Sequence, residues 1–246
     1  MIKNKIEHAP VQLARVAGLL YLIIIVFGIW AEVSVRSGLV VQGDVMATAE
    51  NIAASPGLFR AGFVADAIMV LSDVGLAVLL YILLKPVGLV LSLTAMVFRL
   101  VQAAVLALNL LNYYAAMLFL NGPGHAAAFE TNQLNTMAAF YLNLHSHGYD
   151  LGLLFFGVHC LLLGYLIFKS RYIPYILGIL AMGAGCVYLV GTYTRFLFPD
   201  YSATVAPIYL VAVISEVSLC LWLLVKGVRS QLWPQTIHRY DTPLTS

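Results

Sequence analysis

Residues 144–170 read LHSHGYDLGLLFFGVHCLLLGYLIFKS. From Gly148 to Phe168 the side chains are mostly apolar, and the run has the length of about 20 residues that a helix needs to cross hydrocarbon. The same stretch carries His145, His147, Asp150 and His159, which are costly at such depth unless partnered or used. Comparable runs recur at 12–34, 58–84, 88–119, 173–197 and 205–228. With 148–168 they make six spans. Of the 246 residues, 62% are hydrophobic and 10% charged, against about a quarter charged in an ordinary soluble domain. Runs this continuous suit helices, which satisfy their own backbone in lipid, and not the alternating pattern of barrel strands. The fold class expected is therefore all-α, an integral membrane bundle of six transmembrane helices.

Charge sets the expected orientation. With the N-terminus inside, Lys3, Lys5, Arg15, Lys85, Lys169, Arg171, Lys226, Arg229 and Arg239 face the cytoplasm, nine of the thirteen Lys and Arg. Arg36, Arg60, Arg99 and Arg195 fall in outer loops, at outer helix ends or within the membrane. This asymmetry puts both termini in the cytoplasm. It also accounts for the net charge of +2 without a nucleic-acid partner. The expected domains are a cytoplasmic segment 1–11, a transmembrane domain 12–228 and a cytoplasmic tail 229–246. Lys3 and Lys5 precede an apolar core as in a signal sequence, but no small-residue cleavage pattern follows, so the segment reads as an uncleaved first span. Cys160, Cys186 and Cys220 lie within spans and lack CxxC spacing, which argues against a disulfide framework or thiolate metal site.

Two outer loops are long. Residues 35–57 hold a candidate short helix from Asp44 to Ala54 with Asp44 as its cap. In 120–147, after the turn signal NGPG, Leu134, Met137, Tyr141, Leu144 and His145 recur at helical spacing, predicting a surface helix or an outward extension of span four. The inner turns are short, with Lys85 and Pro86 in one and Lys169 and Pro174 in the other, as expected for antiparallel hairpins. Asp66, Tyr81 and Lys85 lie 84 residues before Asp150, Tyr165 and Lys169, a faint sign of internal duplication.

ARVAGLLYLIIIVFGIWAE (14–32), GLFRAGFVADAIMVLSDVGLAVLLY (57–81), FRLVQAAVLALNLLN (98–112) and HGYDLGLLFFGVHCLLLGYLIFKSRYIPYILG (147–178) together resemble a bacterial multi-pass membrane family catalogued as domain of unknown function 4386. The block FFGVH around His159 is the most specific part. The resemblance implies the fold and topology and brings no activity with it. Tyr175 follows Pro174 where the family often has an arginine, so the resemblance implies no arginine anchor for a lipid phosphate at that turn.

The intramembrane polar residues are the candidate site. Asp73 lies twelve residues before Lys85 and Arg99 fourteen after it, so both fall near the midplane and form a candidate ion pair. Glu216, ten residues before Lys226, falls at a similar height and can share Arg99. On span three Arg99, Gln102, Leu106, Asn109 and Tyr113 form one stripe, and Asp66 shares a face of span two with Asp73. With Asn112 and Asp150 nearer the outer side, these residues predict a polar seam from midplane to outer surface. His159, about 180° round the helix from Asp150, is expected to be neutral and bonded to a neighbouring helix. Arg60 and Arg195 are expected to snorkel to headgroups. His145 and His147, with His125 and Asp150, are weak zinc candidates that need a bend near Gly148. No haem pairing, phosphate loop or dinucleotide fingerprint is present, and no cofactor is expected.

The function expected is binding or transport of a small polar or amphiphilic molecule through the seam, in the bacterial cytoplasmic membrane among membrane lipids. One alternative is an intramembrane hydrolase or lipid-modifying enzyme using outer His and Asp. Another is a non-catalytic structural or stress-related membrane protein whose charges hold the bundle together. Substrate and oligomeric state are open.

Overall fold

The computed structural model describes residues 2–121 and 129–233, with side chains over 10–120 and 129–233. Helix α1 (Ile2–Trp30) runs on as a π-helical turn, Ala31–Arg36, and a closing turn, Ser37–Leu39. Then follow α2 (Val45–Ala54), α3 (Pro56–Leu84), α4 (Leu89–Asn121), α5 (Thr131–Ser170), α6 (Tyr175–Leu197) and α7 (Tyr209–Val225), the last reached through short turns over 199–208. All but α2 belong to segments long and apolar enough to span a membrane, six in number. No strand occurs among the described residues. Local chemistry sets the helix starts. The Asp44 side chain accepts the Ala47 N–H at 2.9 Å and caps α2, and Pro56 opens α3 where its missing N–H has no intrahelical partner to lose.

The six long helices form a closed ring in which each packs on its neighbours in sequence, α1 on α3, α3 on α4, α4 on α5, α5 on α6, α6 on α7, and α7 back on α1. Both ends of the described chain and the turns at Lys85 and Lys169 lie at one end of the ring, termed inner after the expected orientation, and the opposite end is termed outer. The outer end carries α2, which packs on α5 and α3. Leu71, Val90, Leu108, Leu111, Leu210 and Val225 are exposed on the outside. Such an apolar belt is the surface a bilayer covers, and the protein contacts membrane lipids through it.

Apolar side chains close the ring at both ends. The inner cluster joins Ala14, Leu80, Leu83, Leu166, Tyr172 and Leu223 among others. The outer one joins Val35, Ile52, Phe59, Tyr113, Ala138 and Leu142. A smaller layer of Met69, Val70, Ala103 and Leu106 lies between. Where α5 meets α6, a Cβ on Gly164 would stand 2.5 Å from the Gly178 carbonyl oxygen, and one on Gly178 equally near that of Gly164. Gly157 and Gly185 repeat the contact seven residues along each helix. Only glycine permits backbones this close, and van der Waals packing of that kind drives helix association in lipid.

Two expectations are refined. Helix α5 is one continuous helix of 40 residues, so the second outer loop is largely its extension and there is no break at Gly148. The buried stripe on that extension is Ala138, Leu142 and His145 with Tyr141 beside it, while Leu144 is exposed. The stripe follows α2 and α4, against which this part of α5 packs.

Candidate functional site

At mid-depth the ring is polar. Arg99 of α4 is 1% exposed and Asp73 of α3 is 3% exposed. Arg99 donates from Nε to Asp73 Oδ1 at 2.8 Å and closes an ion pair with the same oxygen through Nη2. Its Nη1 donates to His159 Nε2 on α5 at 3.1 Å, and His159 Nδ1 donates to the Ala95 carbonyl at 2.8 Å. A carbonyl only accepts and a guanidinium only donates, so His159 is the neutral Nδ1–H tautomer. The guanidinium carbon lies 5.4 Å from the Tyr21 ring centroid and 5.0 Å from that of Phe156, within cation–π range. Phe156 in turn packs on Tyr188 of α6 with centroids 5.2 Å apart, and the Tyr188 hydroxyl donates to Glu216 of α7. Every long helix thus supplies one polar side chain at this level: Tyr21, Asp73, Arg99, His159, Tyr188 and Glu216. Glu216 does not bond Arg99 as the depth count allowed; it stays within electrostatic reach of Arg99 and Asp73 while Tyr188 takes its hydrogen bond.

A second cluster sits nearer the outer end. The π-helical turn carries Arg36 over the ring, where Nη1 donates to Asp66 Oδ2 at 2.6 Å and Nε to Glu32 at 2.7 Å. The expectation that Arg36 lies in an outer loop is corrected, since the first span reaches Leu39. Arg36 also stands 5.9 Å from the Tyr149 ring centroid. Asp66 is 2% exposed, and its Oδ1 has no partner among the described residues. Tyr149 links the two clusters: its hydroxyl reaches the Met69 sulfur at 4.0 Å. It lies within electrostatic reach of Arg36 and Asp66 on one side and of Asp73 and Glu216 on the other.

The predicted seam is therefore two polar clusters divided by the Met69, Val70, Ala103 and Leu106 layer, not one continuous wall. Gln102 lies at that layer, 6% exposed, with Oε1 unpartnered. Asn109 is committed to structure: its amide donates to the His145 carbonyl at 2.8 Å and accepts from Asn112 at 2.9 Å. A Cβ on Gly148 would meet the Asn109 oxygen at 2.1 Å, so the crossing requires glycine there.

Asp150 belongs to neither cluster. It faces α6, where Arg195 Nε approaches Oδ2 to 2.7 Å, an ion pair by distance whose N–H is not aligned for a hydrogen bond. Arg195 also donates to Ser146 Oγ at 2.7 Å. The expectation that Arg195 snorkels is thus corrected, because a buried carboxylate one helix away offers a stronger partner than headgroups. Arg60 is exposed at the outer end of α3.

The zinc candidates do not converge. His145 packs edge-on to Tyr113 at 5.3 Å between centroids. His147 Nδ1 donates to the Asn143 carbonyl of its own helix at 2.9 Å. His125 lies outside the described residues, and no metal-ligand cluster occurs among those described.

The ring and its two polar clusters define a multi-pass α-helical membrane protein with a layered charged interior. The chain belongs to the family described as domain of unknown function (DUF4386), which matches residues 16–227. It is similar to an uncharacterised protein of Archaeoglobus fulgidus, 32% identical over 160 residues that cover 65% of this chain and 80% of the relative. That relative is archaeal, so membership does not place the chain in bacteria. No solved structure matches.

Proposed function

We propose that this protein binds, and passes across the cytoplasmic membrane, a small polar or amphiphilic molecule bearing hydrogen-bond donors, with both chain termini on the cytoplasmic side. The observation that carries this reading is the pair of buried, unpartnered acceptors, Asp66 Oδ1 and Gln102 Oε1. A network that only held the helices together would be satisfied within itself, as Arg99 is, because an unpaired buried acceptor costs about 1–3 kcal/mol. Both orphans are acceptors, so what completes them donates: an ammonium, amide or hydroxyl group. Counted outward from the Asp73–Arg99 pair at 1.5 Å per residue, Gln102 lies about 4.5 Å and Asp66 about 10 Å up the ring. A ligand of a few heavy atoms spans that interval past Tyr149.

Apolar clusters cover both ends, so entry requires movement. The π-helical turn is the element suited to it, since such turns occur as local irregularities at functional sites. A ligand ammonium competing with Arg36 for Asp66 would free that turn. The positive-inside pattern supports the orientation.

The test is native mass spectrometry of protein released gently from its membrane, with Asp66→Asn and Gln102→Ala beside the parent chain. The expected result is a reproducible small-molecule adduct on the parent that both variants lose. An adduct retained by both variants, or a parent chain bare under conditions that keep its lipids, overturns the proposal.

A further inference from the structure

At the inner end a cleft of about 470 Å³ is lined by Trp222, Lys226, Gly227, Arg229, Ser230 and Gln231 with their neighbours. It lies away from both charge clusters, and its size falls in the range of about 300–1,000 Å³ typical of ligand sites. Its wall is built and anchored. Gly227 takes the left-handed conformation, φ 68°, which turns the chain out of α7 and back across the end of the ring. The Arg229 N–H then donates to the Tyr172 carbonyl at 3.1 Å. Trp233 Nε1 and the Tyr172 hydroxyl both donate to the Leu83 carbonyl, at 3.2 and 2.8 Å.

Among the residues whose side chains are described, the charges at this end are of one sign. Arg15, Lys85, Lys169, Arg171, Lys226 and Arg229 occupy the inner end, and across residues 10–233 no Asp or Glu falls there. Lys226 and Arg229 are exposed and have no carboxylate partner among the described residues. Trp222 adds an indole N–H that is buried and unpartnered. Two cations and a neutral donor, without an acid, constitute the chemistry that recognises a phosphate. Leu221 and Val225 are exposed next to the cleft on the lipid side, where acyl chains can lie.

We infer that this cleft binds a phosphate group, that of an anionic phospholipid headgroup whose tails run along Leu221 and Val225. The experiment is native mass spectrometry of the full chain in detergent, titrated in separate arms with a phosphatidylglycerol, a phosphatidylcholine and soluble glycerol phosphate. Phosphatidylglycerol should bind in preference to phosphatidylcholine. Lys226→Gln with Arg229→Gln should weaken it by about tenfold or more, each cation near an anionic headgroup counting substantially. Trp222→Phe should weaken it by about two- to fivefold through the lost N–H. Helical circular dichroism confirms that the variants fold. Arg15→Gln with Arg171→Gln, exposed cations outside the cleft, should leave binding unchanged; an equal loss there reduces the effect to diffuse surface charge and overturns the site. Saturable glycerol phosphate binding lost in the Lys226 and Arg229 variant, without lipid preference, supports the phosphate site and overturns the lipid as its source. Equal binding of both lipids, unaffected by any variant, overturns the inference outright.

Discussion

Replacing Asp73 with Asn removes the negative half of an ion pair in which both residues are at most 3% exposed. Arg99 then keeps His159 and the flanking Tyr21 and Phe156 rings but has no counter-charge within bonding distance. Stranding one member of a buried pair costs about 3–5 kcal/mol. Arg99→Gln alone should cost a similar amount, since it strands Asp73. Both together leave two amides that can bond each other, so the double variant should exceed the sum of the single ones in stability by about 1–3 kcal/mol and should be more stable than Asp73→Asn. The assay is reversible unfolding in mixed micelles with rising dodecyl sulfate, followed by fluorescence of Trp30, Trp222 and Trp233. Strict additivity across the cycle would refute the reasoning, because it would mean the two charges do not sense each other.

The glycine contact between α5 and α6 makes a contrast within one helix. Gly178→Ala should destabilise by about 1–3 kcal/mol as its methyl meets backbone. Gly183→Ala, whose nearest neighbour would be 3.8 Å away, should stabilise by up to about 1 kcal/mol through helix propensity, and the same unfolding assay reads both. Arg36→Gln strands Asp66 and should destabilise by about 3 kcal/mol, with Asp66→Asn added to it restoring part of the loss; no restoration would show that Asp66 has another counter-charge. For orientation, an impermeant maleimide applied to intact cells should label Glu50→Cys directly and Arg171→Cys only after permeabilisation, and the reverse order would invert the proposed topology.

Six spans were legible because hydrocarbon thickness sets a minimum apolar length, and runs such as 58–84 and 173–197 meet it without ambiguity. The Asp44 cap was legible because an aspartate ahead of a helical pattern has a local function. Depth counted from Lys85 brought Asp73 and Arg99 to one height, the height at which their side chains meet. What escaped the reading depends on rotation about the helix axis. Arg36 reads as a loop residue because the apolar run ends at residue 34, and nothing in AEVSVR announces a π-helical turn that swings it over Asp66. Tyr21, Tyr149 and Tyr188 are ordinary members of apolar runs until the ring closes. Sequence alone sends Arg195 to the headgroups and Asp150 to the seam, because their pairing exists only once α5 lies beside α6.

The sequential order of the ring has a consequence for biogenesis. Arg99 is the costliest residue for α4 to carry into the bilayer, and its counter-charge lies on the helix made immediately before it, 26 residues upstream. The translocon can therefore receive α3 and α4 as a neutralised hairpin, before the helices that carry His159 and Glu216 have followed. Each later helix meets its partner as it emerges, and only the seam between α7 and α1 must wait for the ribosome to finish.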